Sequence, residues 1–322
     1  MRLLIVKTSS MGDVVHATAV VHDIHQALPG TEIDWLVEPV FADIVRMHPG
    51  VRQVLLLPWR KWRKHLLERQ TWAAMAQLRQ RLRAARYDLV LDLQGLLKSA
   101  CWARQARAPV AGYDRQSIRE PLAALLYARG AAVRRDAQAV WRCRQLVASH
   151  LGYALPSTSP VFELQPSGPA WQPAPAGPAA EAPPYAVLIP NASRASKHWP
   201  VDRWQAVGTV FRNQGRVPVV LWGSASEQLL AQDIAAGCGG QVPPFLKVGE
   251  MASLLSAAEQ VVGLDTGFTH LAAALGRPTV GIYCDHEPGL AGLSGAGPLA
   301  SIGGKGQLPE LAAVLPLVAG LA

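Results

Sequence analysis

The chain has 322 residues, of which 50% are hydrophobic and 17% charged, and its formal net charge is +8. That length is enough for two ordinary domains, and that composition excludes a disordered chain. Residues 1–150 hold 23 Lys and Arg against 12 Asp and Glu, a net +11, while residues 151–322 hold 8 against 11, a net −3. All the excess positive charge therefore lies in the first half, which should meet an anion: nucleic acid, an anionic membrane or an acidic substrate.

No stretch approaches the ~18–20 apolar residues of a spanning helix, and the apolar run at residues 2–6 is too short for a secretory leader. The expectation is a protein made and kept in the cytoplasm. Cys101, Cys143, Cys238 and Cys284 lie far apart with no metal-ligand spacing. They read as buried free thiols in a reducing compartment.

In chain order, LLIV (3–6) reads as a buried strand and residues 13–28 as a helix. EIDWLVE (32–38) alternates as a strand, VRQVLLL (51–57) is another strand, residues 68–86 are helical and YDLVLDL (87–93) is again a strand. Residues 156–184, rich in Pro, Ala and Gly, read as a linker with one short strand, VFEL. Alternation then resumes. Strands are expected at 185–190, 217–222, 260–265 and 278–283, and helices at 200–213, 225–236, 250–258, 267–275 and 309–321. Strand–helix alternation implies a mainly parallel sheet in each half. Ligands of such sheets bind outside the carboxyl ends of the strands.

Seven stretches fall at those ends. SSMGDVV follows the first strand and opens a helix, placing Ser10, Gly12 and Asp13 at its mouth. Asp13 reads either as an N-cap or as a general base. PWRKWRKHLLERQ (58–70) surrounds Trp62 with Arg60, Lys61, Arg63 and Lys64, and between 58 and 86 only Glu68 is acidic. Such a run is either a solvated helix face or an anion-recognition loop, and Trp59 and Trp62 suit an interface of headgroups and acyl chains. DLQGLLKSA (92–100) brings Gln94 to the strand end, and RQSIREPL offers Arg119 for bidentate pairing with phosphate or carboxylate. In the second half, NASRASKHWP presents Ser193 and Lys197, the latter suited to a diphosphate, and WGSASEQ presents Glu227, suited to ribose hydroxyls or simply to the helix dipole. GLDTGFTH offers the N-terminus of a helix to a phosphate, with Asp265 more suited to sugar hydroxyls or a lysine.

Together KTSSMGDVVH, PWRKWRK, DLQGLLKSA, REPL, SKHWP and DTGFTHLAAALGRPTVGIY resemble the lipopolysaccharide heptosyltransferases of glycosyltransferase family 9. The resemblance spans nearly the whole chain in order. KTSSMGD, the early basic loop and KHWP favour transfer of the first heptose over the second. The resemblance implies a GT-B fold of two Rossmann-like domains facing each other across a cleft: an acceptor domain at 1–155, the linker at 156–184, and a donor domain at 185–322 whose last helix is free to pack back on the first. It implies inverting transfer of L-glycero-D-manno-heptose from ADP-heptose to the first Kdo of Kdo2-lipid A.

In that scheme Asp13 is the base, and Lys197 binds the diphosphate and stabilises charge on departing ADP. Asp265 holds the heptose and Glu227 the ribose. Thr266, Gly267 and His270 lie at the phosphate end, and Ser193 and Leu246 complete the donor contacts. Arg60, Arg63, Lys64 and Arg119, with Ser10, Gly12 and Gln94, meet the acidic acceptor. No metal is required, since no metal-binding carboxylate pair is evident and Lys197 with helix dipoles takes the cationic role. The expected protein is a monomer that binds no nucleic acid and sits peripherally on the cytoplasmic face of the inner membrane, docked by the basic loop with Trp59 and Trp62. A transferase of a later core heptose and a GT-B-type sugar-nucleotide epimerase remain as alternatives.

Overall fold

The apolar run at the start becomes β1 (Arg2–Val6), the centre of a six-stranded sheet. It is joined by β2 (Glu32–Val37), β3 (Gln53–Leu56), β4 (Leu89–Asp92), β5 (Val110–Tyr113) and β6 (Arg129–Ala131) in the order β3-β2-β1-β4-β5-β6. Every pairing in it is parallel. Six α-helices accompany these strands: α1 (Met11–Ala27), α2 (Ala42–Arg46), α3 (Trp59–Trp62), α4 (Arg69–Ala84), α5 (Leu97–Ala103) and α6 (Ala139–Leu151). Leu3 to Val6 are wholly buried, as expected of a strand covered by helices on both faces. One face packs Leu4, Val6, Leu36 and Val90 against Leu78 and Leu82 of α4 and Trp102 of α5.

The computed structural model describes residues 1–175, 181–192 and 194–321. The chain divides into a unit spanning Met1–Leu164 and a second beginning at Gln165. The second unit has β7 (Tyr185–Ile189), β8 (Val217–Val220), β9 (Gln260–Leu264), β10 (Thr279–Tyr283) and β11 (Leu299–Gly303), ordered β11-β10-β9-β7-β8 and again all parallel. Its helices are α7 (Val201–Asn213), α8 (Ala225–Cys238), α9 (Val248–Ala257), α10 (Gly267–Ala274), α11 (Pro288–Ala291) and α12 (Leu311–Gly320). A single parallel bridge, Val219 to Gln241, extends the edge beyond β8. The closing helix α12 lies on its own unit, with Val314 and Val318 buried among Trp204, Phe211 and Val262.

Several expectations need correction. VFEL is not a strand. Phe162 is buried, Glu163 takes a left-handed φ of 48° and accepts an ion pair from His22 at 3.0 Å, and the stretch belongs to the first unit. The alternation of EIDWLVE does not leave a polar face. Asp34 is fully buried and held by Arg52 Nη2 at 2.6 Å and the Tyr87 hydroxyl at 2.7 Å. Of the four free cysteines, Cys101 is exposed and the other three are buried. Strands β5, β6 and β11 and helix α6 had no expectation at all.

Helix α6 is fixed to α1 by a buried pair. Arg144 donates from Nε to Asp23 Oδ2 at 2.7 Å and from Nη2 to Oδ1 at 3.1 Å, and its Nη1 reaches the Thr158 carbonyl at 2.9 Å. The Trp141 ring covers the guanidinium at 4.6 Å. Both charged side chains are about as buried as the core itself. Asp23→Ala would leave that guanidinium uncompensated, so it should lower unfolding stability by about 3–5 kcal/mol in denaturant titration. A loss below about 1 kcal/mol would mean that the pair does not fasten the helices.

Candidate functional site

In a sheet ordered 3-2-1-4-5-6 the connections diverge between β1 and β4, and the crevice outside their carboxyl ends is where ligands bind. The first unit places Asp13 there. The loop from Lys7 to Ser10 leaves β1 and is gripped from β4 by Gln94, whose Oε1 accepts from Thr8 N–H at 2.9 Å, Ser9 N–H at 3.0 Å and Thr8 Oγ1 at 3.3 Å. Gln94 is itself aimed by Asp92, which is fully buried and accepts from the backbone N–H of Gln94 at 2.9 Å and of Gly95 at 3.3 Å. Gly95 turns the chain at a φ of 68°, and a Cβ there would approach Ile118 at 3.2 Å.

Asp13 is not the N-cap. Ser10 is, and Asp13 is the third residue of the helix, where its Oδ2 accepts from Ser10 N–H at 3.0 Å and Ser10 Oγ at 2.7 Å. Its Oδ1 faces Lys7 Nζ at 3.6 Å, and the carboxylate is still 43% exposed. Burial pulls its pKa up. The Lys7 charge and the two Ser10 hydrogen bonds outweigh that and hold it at about 2. Lys7 is almost wholly buried and also donates to the Leu93 carbonyl at 3.3 Å, so it is aimed at the site rather than at water. Sequence reading had singled out Asp13 but not Lys7, although the residue precedes the same turn.

The basic loop joins this edge. Glu38, at the end of β2, is buried and accepts from Arg60 N–H at 3.2 Å. Burial raises its pKa against the pull of Arg60, Lys98 and Arg63, and burial lowers that of Lys98. Arg60, Arg63 and Lys98 thus share one neighbourhood around Glu38. Lys64 and Arg119 are exposed on the same carboxyl edge. Next to Arg119, Glu120 closes the start of α5 by accepting from Leu97 N–H at 2.7 Å. Trp62 does not take the role expected of it. It is buried in the core against Trp102, ring centres 5.4 Å apart, and Trp59 packs on the same cluster.

In the second unit the order reverses between β7 and β9, and the loops after those two strands meet. Lys197 donates to Asp265 Oδ2 at 2.5 Å and to the Asp265 carbonyl at 3.2 Å, and His270 Nε2 lies 3.2 Å from Oδ1. Burial would raise the Asp265 pKa, but His270 and Lys197 together hold it well below the usual carboxylate range. Thr266 caps α10 and Gly267 opens it, so the unpaired N–H groups of that first turn flank Asp265. Helix α10 sits close because Gly263 has no side chain: a Cβ would stand 2.3 Å from Thr269 Oγ1.

Glu227 repeats the arrangement of Asp13. It is the third residue of α8, with Ser224 as cap, and its Oε2 accepts from Gly223 N–H at 2.8 Å. Leu246 lies half-buried just before α9, beside the Trp222–Phe245 ring pair with centres 5.8 Å apart. Asp285 gathers Ser196 Oγ at 2.9 Å and Arg194 at 3.6 Å. Ser193 lies outside the described residues. The structure therefore brings Asp13, Ser10, Gly12, Gln94, Arg60 and Arg63 to one edge of the first unit, and Lys197, Asp265, Thr266, Gly267 and His270 to one edge of the second. Trp222, Phe245 and Asp285 had not been singled out. The spacing Ser-x-x-Asp at 10–13 and Ser-x-x-Glu at 224–227 was the available signal for the two caps. Among the described residues no group of three His, Cys, Asp or Glu could hold a metal ion. No helix of the described residues is long and apolar enough to cross a membrane.

The model of glycosyltransferase family 9 (heptosyltransferase) matches residues 75–314. Lipopolysaccharide heptosyltransferase 1 of Pseudomonas aeruginosa is 41% identical over 297 residues, covering 92% of this chain and 82% of that one. The protein of the same name from Escherichia coli K12 is 38% identical over 294 residues, covering 91% and 90%. The solved structure of E. coli heptosyltransferase WaaC with ADP superposes with a TM-score of 0.89 at 35% identity, covering both chains fully.

The Asp13 carboxyl, followed by carbon NMR, should titrate near pH 2, below its ordinary 3.8. Its contribution to stability is then complete above about pH 4 and disappears as pH falls toward 2. Ser10→Ala should move the midpoint upward. A wild-type midpoint near 4 would mean that Lys7 and Ser10 exert no hold.

Proposed function

The chain belongs to glycosyltransferase family 9, the heptosyltransferase family, and on that premise we propose that it moves L-glycero-D-manno-heptose from ADP-heptose to the first Kdo of Kdo2-lipid A, with inversion, in assembly of the lipopolysaccharide inner core. The observation that carries this reading is Asp13: an ionised, half-exposed carboxylate at a helix mouth, with Lys7 behind it and Arg60, Arg63 and Lys98 along the same edge. An acceptor bearing carboxylates and phosphates suits those cations. They also account for a first half at +11.

Asp13 takes the proton of the acceptor hydroxyl. A base held at about 2 is weak, so the proton moves late, as the bond to ADP breaks and the attacking hydroxyl becomes acidic. Ser10 and Lys7 keep the carboxylate ionised and aimed, and Gln94 fixes the loop that carries them.

In the second unit Lys197 has three N–H donors, and Asp265 engages two acceptors' worth of them, leaving one for a diphosphate oxygen. The first turn of α10 presents N–H groups to the same phosphates and meets the negative charge that develops on departing ADP. Asp265 orients heptose hydroxyls. Glu227 has Oε1 left for the ribose, and the exposed Phe245 ring beside Trp222 offers a face to the base. The lipid anchor of the acceptor places the work at the cytoplasmic face of the inner membrane, where the protein is peripheral. The identity to relatives named heptosyltransferase 1 supports the first heptose rather than a later one.

The test is ADP release from ADP-heptose with and without Kdo2-lipid A. Wild-type release should depend on the acceptor. Asp13→Ala should lower it by about 10²–10⁴-fold, with ADP-heptose binding unchanged by calorimetry. Normal activity in a less stable Asp13→Ala protein would reduce Asp13 to a cap and sink the mechanism.

A further inference from the structure

The basic edge of the first unit carries large apolar side chains that heptosyl transfer does not use. Between α3 and α4, Leu66 is exposed and Leu67 is fully exposed, and Trp72 in the first turn of α4 is 57% exposed. The Trp72 indole donates to the Leu66 carbonyl at 2.7 Å, which ties the first turn of α4 to the loop before it. A second group follows β4 and β5: Leu97 is exposed, Leu122 is 64% exposed and Leu125 is 70% exposed. The hydrogen bond from Leu97 N–H to Glu120 ties the start of α5 to the turn at Pro121–Leu126. Lys98, in the first turn of α5, lies near the charges of Glu38, Arg60, Arg63 and Glu120.

Both groups lie in connections and helix starts that follow strand carboxyl ends, on the same edge of one parallel sheet. The edge therefore reads apolar, cationic, apolar. Exposed apolar residues scattered singly need no explanation, but residues grouped this way around unpaired cations do. Arg63 and Lys64 have no ion pair among the described residues. A second copy of this chain is a poor occupant, because a two-fold contact would set the same arginines against each other. An anionic bilayer fits both features: headgroup charge meets the cations while leucine and tryptophan enter the acyl boundary.

We propose that Leu66, Leu67 and Trp72 on one side, and Leu122 and Leu125 on the other, are two apolar lips that seat this edge in an anionic bilayer and present the cations between them to a lipid-borne acceptor. The second clause rests on the acceptor read above; the first does not. The lips replace Trp62, which is buried in the core, and Trp59, which packs half-buried against it.

The experiment uses the full chain, wild type and the double variant Leu67→Glu/Leu125→Glu, with extruded vesicles of phosphatidylethanolamine and phosphatidylglycerol that contain no lipopolysaccharide. Vesicle partition is read by flotation, oligomeric state by sedimentation velocity, and turnover with a deacylated, water-soluble Kdo acceptor. The wild type should bind these vesicles and bind phosphatidylcholine vesicles far less. The variant should lose at least tenfold in partition while keeping its sedimentation coefficient and its turnover on the soluble acceptor. Equal partition of the two proteins would overturn the proposal. So would a wild-type dimer that the variant splits, since the leucines would then be a contact between copies. Wild-type vesicle binding without any turnover on the soluble acceptor would overturn the acceptor reading alone and leave the lips standing.

Discussion

Every strand pairing in the two sheets is parallel, and the rest of the molecule depends on that constraint. A parallel pair needs a crossover on one face of the sheet, so every strand-to-helix turn leaves from the same edge. Each unit therefore has one edge rich in helix N-termini, loop backbone and short polar side chains. The first gathers Asp13, Gln94, Arg60, Arg63 and Lys98 on that edge. The second gathers Lys197, Asp265 and His270. These residues lie as far apart in sequence as Asp13 and Lys98, and the crossover rule alone makes them neighbours.

The same edges explain why the candidate site carboxylates look at first like ordinary helix caps. Asp13 and Glu227 each sit third in a helix and each accept a backbone N–H from the residues before it. A cap of this kind fixes a carboxylate's direction, which a base or a hydroxyl-orienting group needs, and in Asp13 the Ser10 hydrogen bonds also help to keep it ionised. In the proposed mechanism, capping and catalysis are thus one arrangement seen at two moments. Asp265 reaches the same end by another route, through Lys197 and His270 rather than backbone.

Much of this was legible in the chain. Covered parallel strands read as unbroken apolar runs, and LLIV, YAVLIP and QVVGLD did so because helices bury both of their faces. Asp13, Lys197 and Asp265 were legible because each follows such a run at the point where a helix begins. Other elements were not legible. β5 is VAGY and β6 is RGA, too short and too small-sided to stand out, and they are strands because β4 supplies hydrogen-bond partners to β5, and β5 in turn to β6. EIDWLVE looked two-faced because Asp34 is polar, but Arg52 and Tyr87 both hydrogen-bond its Oδ2 inside the fold.

The sequence by itself determined two α/β units, the location of their ligand edges and the sign of the charge on the first, since these follow from apolar runs, helix starts and residue counts. Only the tertiary structure decided which side chains face water there. A four-residue helix, Trp59–Trp62, has no period from which to read a buried face, so only packing against Trp102 shows that Trp62 turns inward and leaves Leu66, Leu67 and Trp72 outside. The role of Gln94 was likewise invisible, because a hydrogen bond between residues 85 or 86 positions apart exists only once β1 and β4 lie side by side.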